Sequence, residues 1–237
     1  MLLIRNFIAD HIIYQSKFIK DWWEEFSTIS KNNYSIILNG SSINENGFKE
    51  KRTQKDIIIT CVEGTIQDDP LTRFLIKSVD EFCDKYDITK GVEIYGRADL
   101  ISYKLSNLKN IEFKGSLSRK DLQKIINKEN RIFFLLELNP PCPNSLIEAI
   151  CVGMPSVGLN TGSFLELAGD SCVPIQYEED HWSLELPSGE QIHNSLSYAI
   201  DNFEDLSGNA YKRSLDLSSG KMCKQYLDLI CSMIKFS

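Results

Sequence analysis

Several signatures that would assign a chemistry outright are missing from this chain of 237 residues. It has no Cys-x-x-Cys pair. Its seven cysteines (Cys61, Cys83, Cys142, Cys151, Cys172, Cys223 and Cys231) are odd in number and scattered. Neither a zinc site nor a disulfide framework is indicated, and reduced, mostly buried thiols are expected. Cys142 has no basic neighbour to lower its pKa and is not expected to be a nucleophile. The usual dinucleotide fingerprint, Gly-x-Gly-x-x-Gly, is absent, as is a P-loop, which weakens an oxidoreductase or NTPase reading. Only three histidines occur, His11, His181 and His193, and none stands with a serine or cysteine in a triad order. No stretch approaches the roughly 20 apolar residues that span a bilayer.

Basic residues are also in short supply. Twenty-six Lys and Arg face 33 Asp and Glu, giving a net charge of -7 and a pI near 5.1. Binding to nucleic acid through phosphate neutralisation is therefore not expected. The run Lys49, Lys51, Arg52, Lys55 is the one basic cluster that could meet an anionic membrane, and its polar surroundings read more simply as a solvated loop. The opening MLLIRNFIADHIIYQ places Arg5, Asp10 and His11 within its apolar stretch, unlike a secretion signal. The expected location is the cytoplasm, with peripheral attachment to the inner face of a membrane as the alternative.

What is present is a strand–helix rhythm. DHIIYQ reads as a short strand, followed by a helix that Ser16 caps. Residues 34–38 (YSIIL) read as a second strand, and 41–55 as a polar linker. Strands follow at 57–62, 92–96, 110–115, 131–138 and 156–160, with helices at 69–86, 118–127 (capped by Ser118), 145–152 and 162–168. The end, 210–236, reads as one helix. Apolar strands alternating with helices imply a parallel sheet covered on both faces, a doubly wound α/β domain. A ligand in such a sheet lies at the carboxyl ends of the strands, where helix N-termini attract anions.

The loop after the most apolar strand reads NPPCPNSLIEAICVGMPSV. Three prolines stiffen it before Asn144 and Ser145 open a helix, and Gly153-Met154-Pro155 ends that helix. Glu148 lies three residues after Ser145, the spacing of a capping box, so helix capping is its simplest reading.

The longer segment PNSLIEAICVGMPSVGLNTGSFLEL resembles the donor-binding segment of GT-B glycosyltransferases of family 4 (group 1), the large retaining family related to sucrose and glycogen synthases. Flanking pieces resemble it too: VEIYGRAD, NIEFKGSLSRKDLQKII, and a hinge in which Asn39, Gly40 and Phe48 match a family pattern with extra residues between. The likeness runs from about residue 9 to 235. It implies the Rossmann-like C-terminal half of a GT-B enzyme over 51–237, preceded by a remnant of the N-terminal domain and hinge over 1–50.

By this resemblance, Glu148 accepts hydrogen bonds from the ribose of a nucleotide diphosphate sugar. The amides of Asn144, Ser145 and Leu146 face its diphosphate. Gly115, Ser116 and Leu117 lie near the base, Gly64 permits close approach of phosphates or sugar, and Arg97 is a candidate phosphate contact. The nucleotide sugar is a substrate rather than a cofactor, and the absence of Asp-x-Asp agrees with a metal-independent reaction.

Departures from the family pattern bear on activity. The family's first acid of Glu-x7-Glu is replaced by Pro140. Where many members place Gly-Arg-x4-Lys-Gly after the first strand, this chain has VEGTIQDDP, with Glu63, Asp68 and Asp69. Arg73 and Arg97 could replace the lost cations, though surface positions are the simpler reading. Only a hinge fragment of the first domain is recognisable. The chain is thus expected to transfer a hexosyl group only with an acceptor domain from a partner chain or a homo-oligomer. A non-catalytic sugar-nucleotide-binding or assembly module is the alternative.

Overall fold

A computed structural model describes residues 9–25, 33–42, 57–88, 90–118, 120, 121, 124, 130–177 and 186–234. The basic run at 49–55, Phe48, His181 and most of the helix expected at 118–127 lie outside these residues.

The main body is a six-stranded, wholly parallel sheet built from β3 (Ile58–Thr65), β4 (Val92–Arg97), β5 (Ile111–Gly115), β6 (Arg131–Phe134), β7 (Ser156–Leu159) and β8 (Cys172–Ile175), in the order β5-β4-β3-β6-β7-β8. Ahead of it, β1 (Ile12–Tyr14) and β2 (Tyr34–Ile36) form a separate parallel pair. The α/β class and the doubly wound arrangement expected from the alternation are both present.

Strand periodicity sends alternate side chains to opposite faces, and each face has its own cover. Ile59, Cys61, Ile94, Ile132 and Phe134 join Leu75, Ile76, Val79 and Phe82 of α2 (Pro70–Tyr86) and Ile192, Leu196 and Ala199 of α6 (Gly189–Asp201) in one apolar cluster. Phe133 and Leu135 join Leu146, Ile147 and Ile150 of α4 (Asn144–Cys151) and Phe164 and Leu167 of α5 (Phe164–Ala168) in the other. The short helix α3 (Asp99–Lys104) adds only Ile101 to the first cluster.

The register on the second face also carries polar groups. Thr60 is paired with Glu93 across β3 and β4. Arg131, 1% exposed, donates to Thr60 Oγ1 at 2.8 Å and to Glu93 Oε2 at 2.6 Å, and Tyr95 donates to the same oxygen at 2.7 Å. Burial alone would raise the Glu93 pKa, but the bonds from Tyr95 and Arg131, with the Arg131 charge, hold it below the ordinary value.

Four expectations need correction. The strand expected over 131–138 pairs as a strand only through Phe134, and the remainder leaves the sheet as a buried loop. An apolar run signals burial, which a covered loop shares with a strand. The single helix expected at 210–236 is two, α7 (Phe203–Ser214) and α8 (Ser219–Ile234), because Ser218 breaks the run and accepts from the Lys221 amide at 3.2 Å as a cap. The capping box proposed for Ser145 and Glu148 is not made: the N-cap is Pro143, without a side-chain capping bond. β8 and α6 were not anticipated. Pro174 fits within β8 because this is an edge strand, where a missing N–H costs little.

The segment before the sheet domain is tied to it at Ser16. Ser16 donates to the Pro141 carbonyl at 2.6 Å and caps α1 (Lys17–Glu25) by accepting from the Ile19 amide at 3.1 Å. Glu166 of α5 accepts from the amides of Lys17 at 2.7 and 2.9 Å and Phe18 at 3.3 Å, a carboxylate placed on a helix N-terminus. Glu166→Ala is expected to expose these amides and weaken α1. Hydrogen exchange at residues 17–25 should accelerate severalfold while that of β3 is unchanged; unaltered exchange at 17–25 would refute the cap.

The segment that follows β2 forms a seam. Ser41 donates its amide to Leu217 at 2.9 Å and accepts from the Ser219 amide at 2.9 Å, so the segment after β2 and the segment before α8 run side by side.

Candidate functional site

The chain steps outward from β3 through β4 to β5, then returns to lay β6 on the other side of β3. The β3–β6 boundary is the point where strand order reverses, and loops leaving the two strands diverge there to open a crevice. A cleft of about 420 Å³ occupies this place. It is lined by Glu63, Thr65, Ile66 and Gln67 after β3, by Asp69–Thr72 at the start of α2, and by Leu136–Leu138 after β6.

The cleft is acidic and partly apolar. Among the described residues its lining includes Glu63, Glu137 and Asp69 but no Lys, Arg or His. Burial, with the nearby Glu137 charge, pushes the Glu63 carboxyl up to about 8, and burial raises Glu137 as well. Glu63 Oε1 is shielded from solvent and has no hydrogen-bond partner among the described residues. Gly96, at φ 143°, lets β4 pass close to this point: a Cβ there would sit 2.2 Å from the Glu63 carbonyl oxygen.

Cations near the cleft are engaged elsewhere. Asp68 pairs with Arg73 at 2.9 Å and with Lys104, and those two cations hold its carboxyl below the usual range, Lys104 foremost. Arg97 donates to Thr65 Oγ1 at 2.9 Å. The N-terminus of α2 is closed by its own chain, since Asp69 accepts from the Thr72 amide at 2.9 Å and the Thr72 hydroxyl at 2.6 Å. This helix end offers little to an anion.

The N-terminus of α4 is different. No side chain caps it, Asn144 is exposed and Ser145 half-buried, and Glu148 lies one turn in with its side chain only partly covered. Leu146 is fully buried, so it could offer a ligand only its backbone. Asn39, after β2, reaches this turn, donating to Asn144 Oδ1 at 3.0 Å. The proline loop is fixed from behind: Ser163 donates both its amide, at 2.8 Å, and its hydroxyl, at 2.9 Å, to the Pro140 carbonyl. Gly162, at φ 60°, makes this approach possible, because a Cβ there would lie 2.5 Å from the Pro140 ring. Pro140, where an acid was missed, thus has a packing role.

All the positions singled out from the sequence lie at one edge of the sheet. Gly64, Arg97 and Gly115 sit at the carboxyl ends of β3, β4 and β5, each exposed, with Ser116 and Leu117 following in solvent; Asn144–Glu148 follow β6. Gly115 and β6 stand three strand positions apart, roughly 14 Å at ~4.8 Å per strand. Glu137 was not anticipated, because it hides inside the apolar run LLEL. Among the described residues, no group of three or more His, Cys, Asp or Glu could hold a metal ion, and no helix is long and apolar enough to cross a membrane.

No family model and no curated protein matches the chain. Solved structures do. A glycosyltransferase from Rickettsia africae aligns with a TM-score of 0.75 at 13% identity, covering 100% of this chain and 67% of that one. The pneumococcal O-GlcNAc transferase GtfA, solved with UDP and GlcNAc, aligns at 0.71 and 15% identity over 95% of this chain and 46% of that one. A GtfA/B complex aligns at 0.72 and 11% identity over 97% of this chain and 47% of that one. The fold is that of the Rossmann-like half of GT-B glycosyltransferases. The chain spans about half to two thirds of the length of these structures.

Proposed function

We propose that this chain binds a nucleotide diphosphate sugar along the carboxyl edge of its sheet and serves as the donor half of a hexosyltransferase. The observation that carries the reading is the N-terminus of α4, without a side-chain cap, on the same carboxyl edge of the sheet as the switch-point cleft, with Glu148 one turn in. In this reading the amides of Asn144, Ser145 and Leu146 meet the diphosphate, where unpaired N–H groups and the helix dipole favour negative charge. Glu148 accepts from the ribose hydroxyls as an ionised acceptor. The exposed backbone of Gly115, Ser116 and Leu117 meets the base, and Gly64 leaves room for phosphate or sugar.

The acceptor side is supplied by a second Rossmann-like domain, in a partner chain or elsewhere in a longer protein. Two observations support this: the chain spans 46% of the O-GlcNAc transferase that it overlays, and β1 and β2 form only a three-residue pair of the kind that is marginal without neighbours. The reaction would rely on holding donor and acceptor in line and on stabilising the departing diphosphate. A second reading, a sugar-nucleotide-binding module without transferase activity, draws support from the lack of any cation lining the cleft.

Calorimetric titration with UDP, GDP and ADP tests the donor site. At least one is expected to bind, and Glu148→Ala is expected to weaken it more than about tenfold, since a hydrogen bond to a charged group contributes roughly 1.5–3 kcal/mol. Unchanged affinity in that variant would remove Glu148 from the site. The 237-residue chain by itself is expected to neither transfer nor hydrolyse sugar; turnover by it would show that no second domain is needed.

A further inference from the structure

Resting on the nucleotide-sugar reading, we propose that Glu63 acts in the switch-point cleft as a neutral carboxylic acid, donating its proton in a hydrogen bond to a sugar or phosphate oxygen of the bound nucleotide sugar. It would do there what a cation does elsewhere.

The geometry leaves few other roles for this side chain. Glu63 stands at the end of β3, where the strand order reverses and the sheet opens into a cleft of about 420 Å³. Its Oε1 has neither solvent nor a hydrogen-bond partner among the described residues. Ionisation would put negative charge on this shielded oxygen as well as on its half-buried partner, whereas a protonated carboxyl is a donor awaiting an acceptor. A turn of the carboxyl about its terminal torsion, which is soft, brings the proton to a ligand oxygen in the cleft that Glu63 lines.

The groups facing Glu63 reinforce the neutral form. Glu137, from the loop after β6, opposes a second negative charge. Asp69, from the start of α2, is held as a helix cap by Thr72 and donates nothing. On β3 itself, the buried Cys61 thiol is pushed far up by burial and then by Glu63, so it brings no charge. From β4, Arg97 is bonded to Thr65, while Arg73 and Lys104 pair with Asp68. A phosphate or sugar oxygen entering here finds no cation on the lining. The proton on Glu63 is the available donor of a carboxyl type.

Affinity for ligand then requires the proton. With the Glu63 carboxyl at about 8, binding should be level in mild acid and fall by about tenfold for each pH unit above that value. The experiment uses UDP-, GDP- and ADP-glucose on the chain as it stands. Both phosphates of these compounds are esterified, so the diphosphate charge of the ligand does not change over the range. Calorimetry from about pH 6.5 to about pH 9 is expected to show a roughly tenfold loss for the wild type. Glu63→Gln, neutral at every pH and still a donor, is expected to vary less than about twofold over the range. Glu63→Ala is expected to bind weakly even in acid. Near-ultraviolet circular dichroism at each pH reports whether the variants keep their packing.

A flat wild-type profile, or a Glu63→Gln profile that falls as steeply as the wild type, overturns the inference. If such a profile accompanies binding that Glu148→Ala abolishes, the donor-site reading survives and only the role of Glu63 is lost. Absence of binding by all three nucleotide sugars at every pH overturns both.

Discussion

Glu93→Leu is expected to lower the stability of the fold by roughly 3–5 kcal/mol, the cost of taking a carboxylate away from a buried charge. The charge in question is Arg131, 1% exposed at the start of a central strand and bonded to Glu93 Oε2 at 2.6 Å. Thr60 Oγ1, at 2.8 Å, would remain as a neutral acceptor but cannot replace a carboxylate. Tyr95 would lose its acceptor as well. For a chain of this size each kcal/mol moves the melting temperature by about 2–4 °C, so a fall on the order of 10 °C is expected. The double variant Glu93→Leu with Arg131→Met should recover most of the loss, because an apolar pair of similar volume needs no compensating charge. Thermal melts of the three proteins decide the matter. A single variant within about 1 kcal/mol of wild type would mean that water reaches Arg131.

A second large effect concerns pH. Glu63 holds its proton in the folded chain up to about pH 8 but releases it near its ordinary value of 4.5 when unfolded. Between those values the folded state carries the extra proton, so stability present in mild acid is lost as pH rises, at about 1.4 kcal/mol per unit at most. Glu137, also raised by burial, acts in the same direction. Carboxylates held low by salt bridges, such as Asp68 and Asp216, have the opposite slope, but theirs lies below the ordinary value of 3.8 and does not offset the loss above pH 5. Urea titrations at about pH 5.5 and about pH 8 are therefore expected to differ by a few kcal/mol, wild type being weaker at the higher pH. Glu63→Gln should flatten most of that difference. Equal midpoints for wild type at the two values would show that the carboxyl is solvated in solution.

The sequence made the scaffold legible because its strands are buried on both faces. Apolar blocks such as IIITCV and RIFF, spaced by amphipathic helices, admit few other arrangements, and the helix over Pro70–Tyr86 and the turn into Asn144 lie within a residue of where the pattern set them. The finer polar architecture was hidden by the same apolar signal. Arg131 opens a strand that reads as hydrophobic, and its partner Glu93 is distant in sequence and meets it only through strand pairing. Glu137 is similarly screened by three leucines. Which carboxyl loses its charge depends on what the fold places over it, and no spacing rule reports that.

At the candidate site, the stiff proline loop marked the right edge of the sheet, since its chemistry is local. The spacing from Ser145 to Glu148 suggested a cap that the helix does not make, because helix geometry begins one residue earlier and Pro143 takes the flanking place. Similarly, VEGTIQDDP showed an excess of acid but not its division of labour. Asp69 closes a helix end, Asp68 gathers two cations, and Glu63 lines the cleft with one carboxyl oxygen left unpartnered among the described residues.

The paired segments at Ser41 and Ser218 have a mechanical corollary. The strip that leaves β2 and the strip that enters α8 are stitched by two amide bonds at 2.9 Å, so they cannot flex independently. A pull on the first strip is therefore passed through those two bonds to the start of α8.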